Sequence, residues 1–291
     1  ARRTGETKNI AVVTTYLSDY IFPRVIQGID KVLTENGYSI LLKNTRNSRN
    51  MEAKCLEELL QKGIDGLIIE PSKSQIFCKH INLYQTLDEY RIPYVFIQGS
   101  YAQLAEKPHI LLDDCLGGYL VTRYLISLGH RSIGYVGDCY NEARYRGYLE
   151  ALHKHDMEPE AAYIMQTGQT EAEGYEAMQK FLQSEDRPTG IYCANDITAI
   201  GMLKYLGTNK NRYYVPSIIA SDDIEEAQYT RPMLTTVALP KEEMGKFALY
   251  LLIDRMRGGH KSVVRTELEG KLMIRNSCTA ADEGGWSDYC I

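Results

Sequence analysis

Apolar residues follow two alternating rhythms along this chain. Short continuous runs such as Ile10-Ala11-Val12-Val13 end in polar residues and read as strands buried on both faces. Between such runs, apolar residues recur at helical spacing, as in Phe22, Val25, Ile26, Ile29 and Leu33. Pro23 suits the first turn of that helix, and Gly37 suits a left-handed cap at its end. The alternation continues with a strand over 38–42, a helix face of Met51, Cys55, Leu56, Leu59 and Leu60, and a strand over 66–69. A helix around Leu83 and Leu87 follows, then strands over 94–97 and 109–112 and a helix over 116–128.

A second series then begins. Strands are expected over 133–136, 163–165, 190–193 and 217–220, with helices over 141–155, 172–182 and 197–206 between them. A short extended piece at 235–238 precedes a helix from Pro240 to Arg257, and two short strands follow near 263–268 and 272–274. The early strand starts lie about 28 residues apart, the spacing of βαβ units. Strand and helix in strict alternation predict an α/β fold with parallel sheets and helices on both faces. So many strands exceed one comfortable sheet. Two doubly wound lobes with a ligand cleft between them are expected. The boundaries read as a linker over 1–9, a first lobe of 9–130 with 240–260, a second of 131–239 with 261–278, and a loosely ordered tail over 279–291.

Composition narrows the function. The 291 residues carry a formal net charge of -5, which makes a poor DNA-binding face without a separate basic element. No apolar run is long enough to span a bilayer, and the first nine residues do not form a secretion signal. Seven cysteines, an odd number without C-x-x-C spacing, argue for reduced thiols in a cytoplasmic protein and against a disulfide framework or a zinc site. Neither G-x-G-x-x-G nor G-x-S-x-G occurs, and His153 and His155 would face apart on a helix. The chain is therefore expected to be no enzyme and to need no metal or cofactor.

The candidate chemistry lies just beyond the strands. Arg144, Asn195 and Asp222 offer a forked donor, a mixed amide and a pure acceptor, a set suited to a small polyhydroxyl ligand. Glu70 and Lys73 follow the third strand and could clasp hydroxyls or pair with one another; Gln98 follows the fourth. Tyr16, Tyr20 and Phe22 could supply ring faces for a sugar's C–H surface, although Phe22 also fits the core stripe. Arg144 has a second reading as a surface partner of Glu142 or Asp138. Asp196 reads as a helix N-cap, and Asp113 and Asp114 as cap or hinge residues.

Several motifs together resemble the effector-binding region of the LacI/GalR family of bacterial repressors. They are Asp114-Cys115-Leu116-Gly117-Gly118 with Leu128-Gly129-His130, Arg144-x-x-Gly147-Tyr148-x-x-Ala151-Leu152, Asn195-Asp196-x-x-Ala199-x-Gly201, Asp222-Asp223 with Pro232-x-Leu234-Thr235-Thr236-Val237, and Ile274-Arg275-x-Ser277. The segments Thr14–Pro23 and Asp65–Ser74 are similar to the arabinose repressors of that group, which join a winged-helix DNA-binding head to such a domain. The resemblance implies a type I periplasmic-binding-protein-like fold, a homodimer, and a small neutral sugar as effector, L-arabinose before D-galactose or D-xylose. It also implies about 60–70 residues of DNA-binding head before the first strand, where only nine residues precede Ile10, so an excised regulatory part is expected. An exported sugar carrier of the same fold is the alternative, expected to be monomeric.

Overall fold

A computed structural model describes residues 5–15, 21–74, 76–140, 142–209 and 214–283, without the side chains of Ile21, Phe22 and Asn209. The elements run β1 (Asn9–Thr14), α1 (Ile21–Asn36), β2 (Ser39–Asn44), α2 (Arg49–Lys62), β3 (Gly66–Ile69), α3 (Ile81–Glu89), β4 (Tyr94–Ile97) and β5 (His109–Leu112). They continue α4 (Asp114–Ser127), β6 (Ile133–Gly137), α5 (Ala143–Lys154), β7 (Ile164–Gln166), α6 (Glu171–Gln183), β8 (Gly190–Cys193), α7 (Asp196–Asn209) and β9 (Ser217–Ile219). The chain closes with β10 (Thr236–Ala238), α8 (Lys241–Met256), β11 (Arg265–Leu268) and β12 (Lys271–Met273). The fold is α/β with two parallel sheets, as the alternating pattern predicts.

The chain divides into two units, Ala1–Leu112 with Pro240–Leu268 and Asp113–Leu239 with Glu269–Ile291. The first crossing falls at Leu112–Asp113 rather than near residue 130, because α4 packs along α5 of the second unit. The last falls at Leu268–Glu269, because β11 pairs with β5 and so stays in the first unit.

In the first unit the sheet order is β11-β5-β4-β3-β1-β2, every pairing parallel. Alternate strand residues point to opposite faces. Ala11, Val13, Leu67, Ile69 and Phe96 join Leu56, Leu59, Tyr84 and Leu87 of α2 and α3 in one core. The other strand residues, Ile10, Val12, Ile68 and Val95, are equally buried, and α8 packs against β3, β4 and β5. The α2 stripe differs from its expected form in one position: Met51 is 40% exposed, while Glu52 is wholly buried.

In the second unit the order is β7-β6-β8-β9, again parallel, with β10 and β12 as an antiparallel pair. Val136, Ile191, Cys193 and Ile218 share a core with Phe181 of α6 and Met202 of α7. Tyr135 and Tyr192 point the other way, where Tyr135 meets Tyr148 of α5 with ring centres 5.4 Å apart. Helices α4 and α5 cross at backbone contact. A Cβ on Gly118 would lie 2.2 Å from Arg144 O, and one on Gly147 would lie 2.0 Å from Cys115 O. Any side chain at either position would push the helices apart. Thr279 is not loose: its N–H donates to Ser217 Oγ (2.9 Å), and Ala281 N–H donates to Leu128 O (2.9 Å). The expected tail is thus docked at its start, and its residues from 284 onward lie outside the described ones.

Candidate functional site

A parallel sheet binds ligands outside the carboxyl ends of its strands, where the strand order reverses. In the second unit the reversal falls between β6 and β8, since the chain leaves β6 for β7 on one side and returns to β8 on the other. Arg144 stands in the first turn of α5 after β6, Asn195 just after β8, and Asp222 after β9. The fold brings all three together. Arg144 Nη2 donates to Asp222 Oδ1 (2.8 Å) and Nη1 to the Ala194 carbonyl (2.5 Å), beside Asn195. Its Nε donates to Asp114 Oδ1 (3.1 Å). Arg144 is not a surface partner of Glu142 or Asp138; it is 9% exposed and held between two carboxylates. Burial works against its charge, but Asp114 and Asp222 raise its pKa well above the usual guanidinium value. Three of its five N–H groups are spent in this way.

Asn195 has a narrower capacity than its residue type suggests. Its Oδ1 accepts from Thr198 N–H (3.1 Å) and Thr198 Oγ1–H (2.8 Å), capping α7. Every wholly buried side-chain polar atom among the described residues has a hydrogen-bond partner. No such bond is made by the Asn195 amide nitrogen, so it reaches the surface as a pure donor. The cap expected of Asp196 therefore belongs to Asn195. Asp196 instead anchors the chain behind the site, accepting from Thr236 Oγ1–H (2.6 Å) and Ile224 N–H (3.0 Å). Burial, with Asp222 nearby, pushes its carboxyl up to about 7.

Asp222 and Asp223 sit at φ 133° and 53°, a region side chains rarely adopt. The strain is held by neighbours: Asp222 N–H donates to Val237 O (3.0 Å), and Arg275 Nη2 pairs with Asp223 Oδ1 (2.6 Å). Backbone strain persists only where surrounding contacts fix it, and it marks functional sites. Asp113 is a cap, accepting from Leu116 N–H (3.0 Å), whereas its neighbour Asp114 grips Arg144. Sequence reasoning missed that grip, and also Glu142, which caps α5 through Arg144 N–H (3.1 Å) and whose carboxyl is raised by burial.

In the first unit the reversal falls between β1 and β3. Glu70 follows β3, and its Oε2 accepts from Thr15 N–H (3.3 Å) across that point. No ion pair joins Glu70 to Lys73 among the described residues; Lys73 is exposed, at φ 47°. Gln98 follows β4, half-buried, at φ 63°. Tyr16 and Tyr20 lie outside the described residues, as does the side chain of Phe22. What the sequence did not announce is a closed polar cluster behind this strand end. Glu52 Oε1 accepts from Ser72 N–H (2.8 Å), and Oε2 accepts from Tyr84 (3.0 Å), Tyr101 (2.7 Å) and His80 Nε2. Burial opposes protonation of His80, but hydrogen bonds to Cys78 and Glu52 outweigh it and lift the imidazole to about 9. One signal was available: a carboxylate at 52 lies on the same helical stripe as Cys55, Leu56 and Leu59.

The comparisons agree with this architecture. Residues 122–278 match the family described as a periplasmic binding protein-like domain. The arabinose metabolism transcriptional repressor of Geobacillus stearothermophilus is 38% identical, over 94% of this chain and 77% of its own length. That of Halalkalibacterium halodurans is 36% identical, over 95% and 77%. The chain belongs to the LacI family, as its periplasmic-binding-protein-like effector domain. A LacI-family regulator from Enterococcus faecium, solved with bound ribose, superposes with a TM-score of 0.80 at 27% identity, over 94% of this chain and 99% of that one. Membership makes this LacI-family chain part of a transcriptional regulator and not an enzyme. No described helix is long and apolar enough to cross a membrane.

Proposed function

We propose that this effector domain binds a neutral monosaccharide, L-arabinose before other pentoses, and thereby controls a repressor. The observation that carries the reading is the unspent donor set at the second unit's strand reversal: the rest of the Arg144 fork and the Asn195 amide, beside the Asp222 acceptor. Vicinal hydroxyls need such paired donors and an acceptor, and a neutral ligand leaves the internal charge balance of Arg144 undisturbed. The two arabinose repressors among its relatives favour arabinose, and the ribose-bound regulator favours a pentose. Glu70, Lys73 and Gln98, with the rings of Tyr16, Tyr20 and Phe22, supply the first unit's share of the contacts. A ligand shifts a conformational balance only through different affinity for the two states, and that difference is what would make the sugar an effector. The regulator acts in the cytoplasm as a homodimer and passes the change to a DNA-binding head.

Calorimetry against L-arabinose, D-xylose, D-ribose and D-galactose tests the proposal. L-arabinose is expected to bind most tightly. Arg144→Lys keeps the charge beside Asp114 and Asp222 but loses the fork, and is expected to weaken binding by about tenfold or more. Unchanged affinity in that variant removes Arg144 from the site; a different preferred sugar removes arabinose.

A further inference from the structure

The first unit carries a second cavity, at the amino ends of its strands and so at the opposite end of the sheet from Glu70 and Gln98. It measures about 260 Å³ and is walled by Ile92, Pro93 and Tyr94, where the chain enters β4, and by the turn that follows α8. Four basic side chains stand on its wall: Arg91, Lys107, Arg255 and Lys261. A single carboxylate, Asp88, shares that wall, and it is already paired with Lys107 Nζ at 2.7 Å.

The other three cations have no carboxylate partner. Neither the Arg91 nor the Lys261 side chain makes a hydrogen bond or an ion pair among the described residues. Arg255 donates only to neutral atoms, from Nε to His260 Nε2 (3.1 Å) and from Nη2 to Ser262 O (2.7 Å). Burial lowers its pKa, and the nearby Asp254 carboxylate opposes this only in part. Asp254, in the last turn of α8, is turned onto the backbone N–H and ring Nδ1 of His260. The end of α8 would repel an anion, but its last carbonyls are already capped by the N–H groups of Arg257, Gly258 and Gly259. A larger cavity of about 1030 Å³ shares Arg91, Ile92, Pro93 and Arg255, and adds Arg257 and Tyr90 together with the carboxylates Glu6, Asp65 and Glu89, of which Glu6 pairs with Lys8 and Asp65 accepts from Thr7 and from Lys8 N–H. There is room beside the cations for a body larger than a bare ion.

We propose that this cavity is a second ligand site, for the phosphate group of a small phosphorylated metabolite. Arg91, Arg255 and Lys261 hold the dianion by charge-assisted hydrogen bonds, and the adjoining cavity takes the uncharged remainder. The site shares no residue with Arg144, Asn195 and Asp222 or with Glu70, Lys73 and Gln98, so it is separate from the proposed sugar site.

The test is calorimetric titration of the full chain at low salt with glucose 6-phosphate, with inorganic phosphate and glucose as controls. Glucose 6-phosphate is expected to bind, and the double variant Arg91→Ala, Lys261→Ala to weaken it by about tenfold or more. Both side chains are exposed and unpaired, so the variant is expected to melt with the parent. Arg144→Lys is expected to leave this binding unchanged whether or not Arg144 grips a sugar. If inorganic phosphate binds as tightly through the same residues, the phosphate site stands and free phosphate is its ligand. Binding that survives the double variant, binding lost in Arg144→Lys, or no heat up to about 10 mM of either anion overturns the proposal. So does a short DNA duplex that binds through these residues more tightly than either anion.

Discussion

Each unit sets a buried charge behind the carboxyl ends of its strands, but the two charges are satisfied in different ways. Glu52 has its carboxylate oxygens occupied by protein donors: a backbone N–H, two tyrosine hydroxyls and an imidazole. Arg144 binds two carboxylates and a carbonyl and still has N–H groups to give, beside an asparagine whose amide donates to nothing. A saturated network fixes the chain around it. An unsaturated one that reaches the surface leaves a defined deficit that a ligand can fill. The contrast separates a group whose bonds are all spent on holding a loop from the group proposed to recognise a sugar, although both are buried.

The largest effect expected from breaking this contrast is at Glu52. Glu52→Ala leaves His80 charged and buried without its partner, and about 3–5 kcal/mol of stability is expected to go, read from denaturant unfolding. A loss under 1 kcal/mol would show that the cluster holds little. Next comes Asn195→Asp. An aspartate keeps the cap on α7 but turns the free donor into an acceptor. Sugar affinity is expected to fall by about tenfold while the melting temperature stays near the parent's; equal affinity would show that the amide is idle.

The two clusters also separate by pH. Burial raises the folded pKa of Asp196 from 3.8 to about 7, so the folded state holds its proton more tightly than the unfolded chain. The stability it contributes is complete below pH 3.8 and is lost as pH rises through about 7. His80 is raised from 6.5 to about 9, so its contribution is complete below pH 6.5 and fades as pH rises through about 9. Melting temperature against pH is expected to decline in both windows. Asp196→Asn should flatten the lower decline and His80→Gln the upper one. If either variant keeps the parent's profile, that group does not titrate as described. The smallest effect is assigned to Lys73, whose exposed side chain holds no ion pair: Lys73→Ala is expected to change stability by under about 0.5 kcal/mol in thermal unfolding.

Much of this was legible in the sequence. Apolar runs ending in polar residues located the strands, and Arg144, Asn195 and Asp222 stood out because each follows one of them. Their division of labour was not legible. That Asn195 rather than Asp196 caps α7 depends on which side chain turns back toward Thr198, a matter of backbone direction that residue order does not reveal. Met51 was taken for the start of the α2 stripe because apolar character outweighs a lone carboxylate in any pattern count, yet Glu52 is the buried residue. The three donor side chains that make its burial tolerable come from positions 80, 84 and 101, too far along the chain for periodicity to connect. Strand β11 falls in the second lobe on the sequence reading, and only its register with β5 returns it to the first.

The bond between Asp114 and Arg144 has a mechanical consequence. Asp114 is the second residue after the chain crosses at Leu112–Asp113, and it is tied directly to the guanidinium that faces the open position. The crossing at Leu112–Asp113 is one of three places where the chain passes between its units, so a molecule that displaced this fork would pull, through a single side chain, on the start of α4. With Gly118 and Gly147 locking α4 onto α5 just beyond, such a pull would have little slack to vanish into.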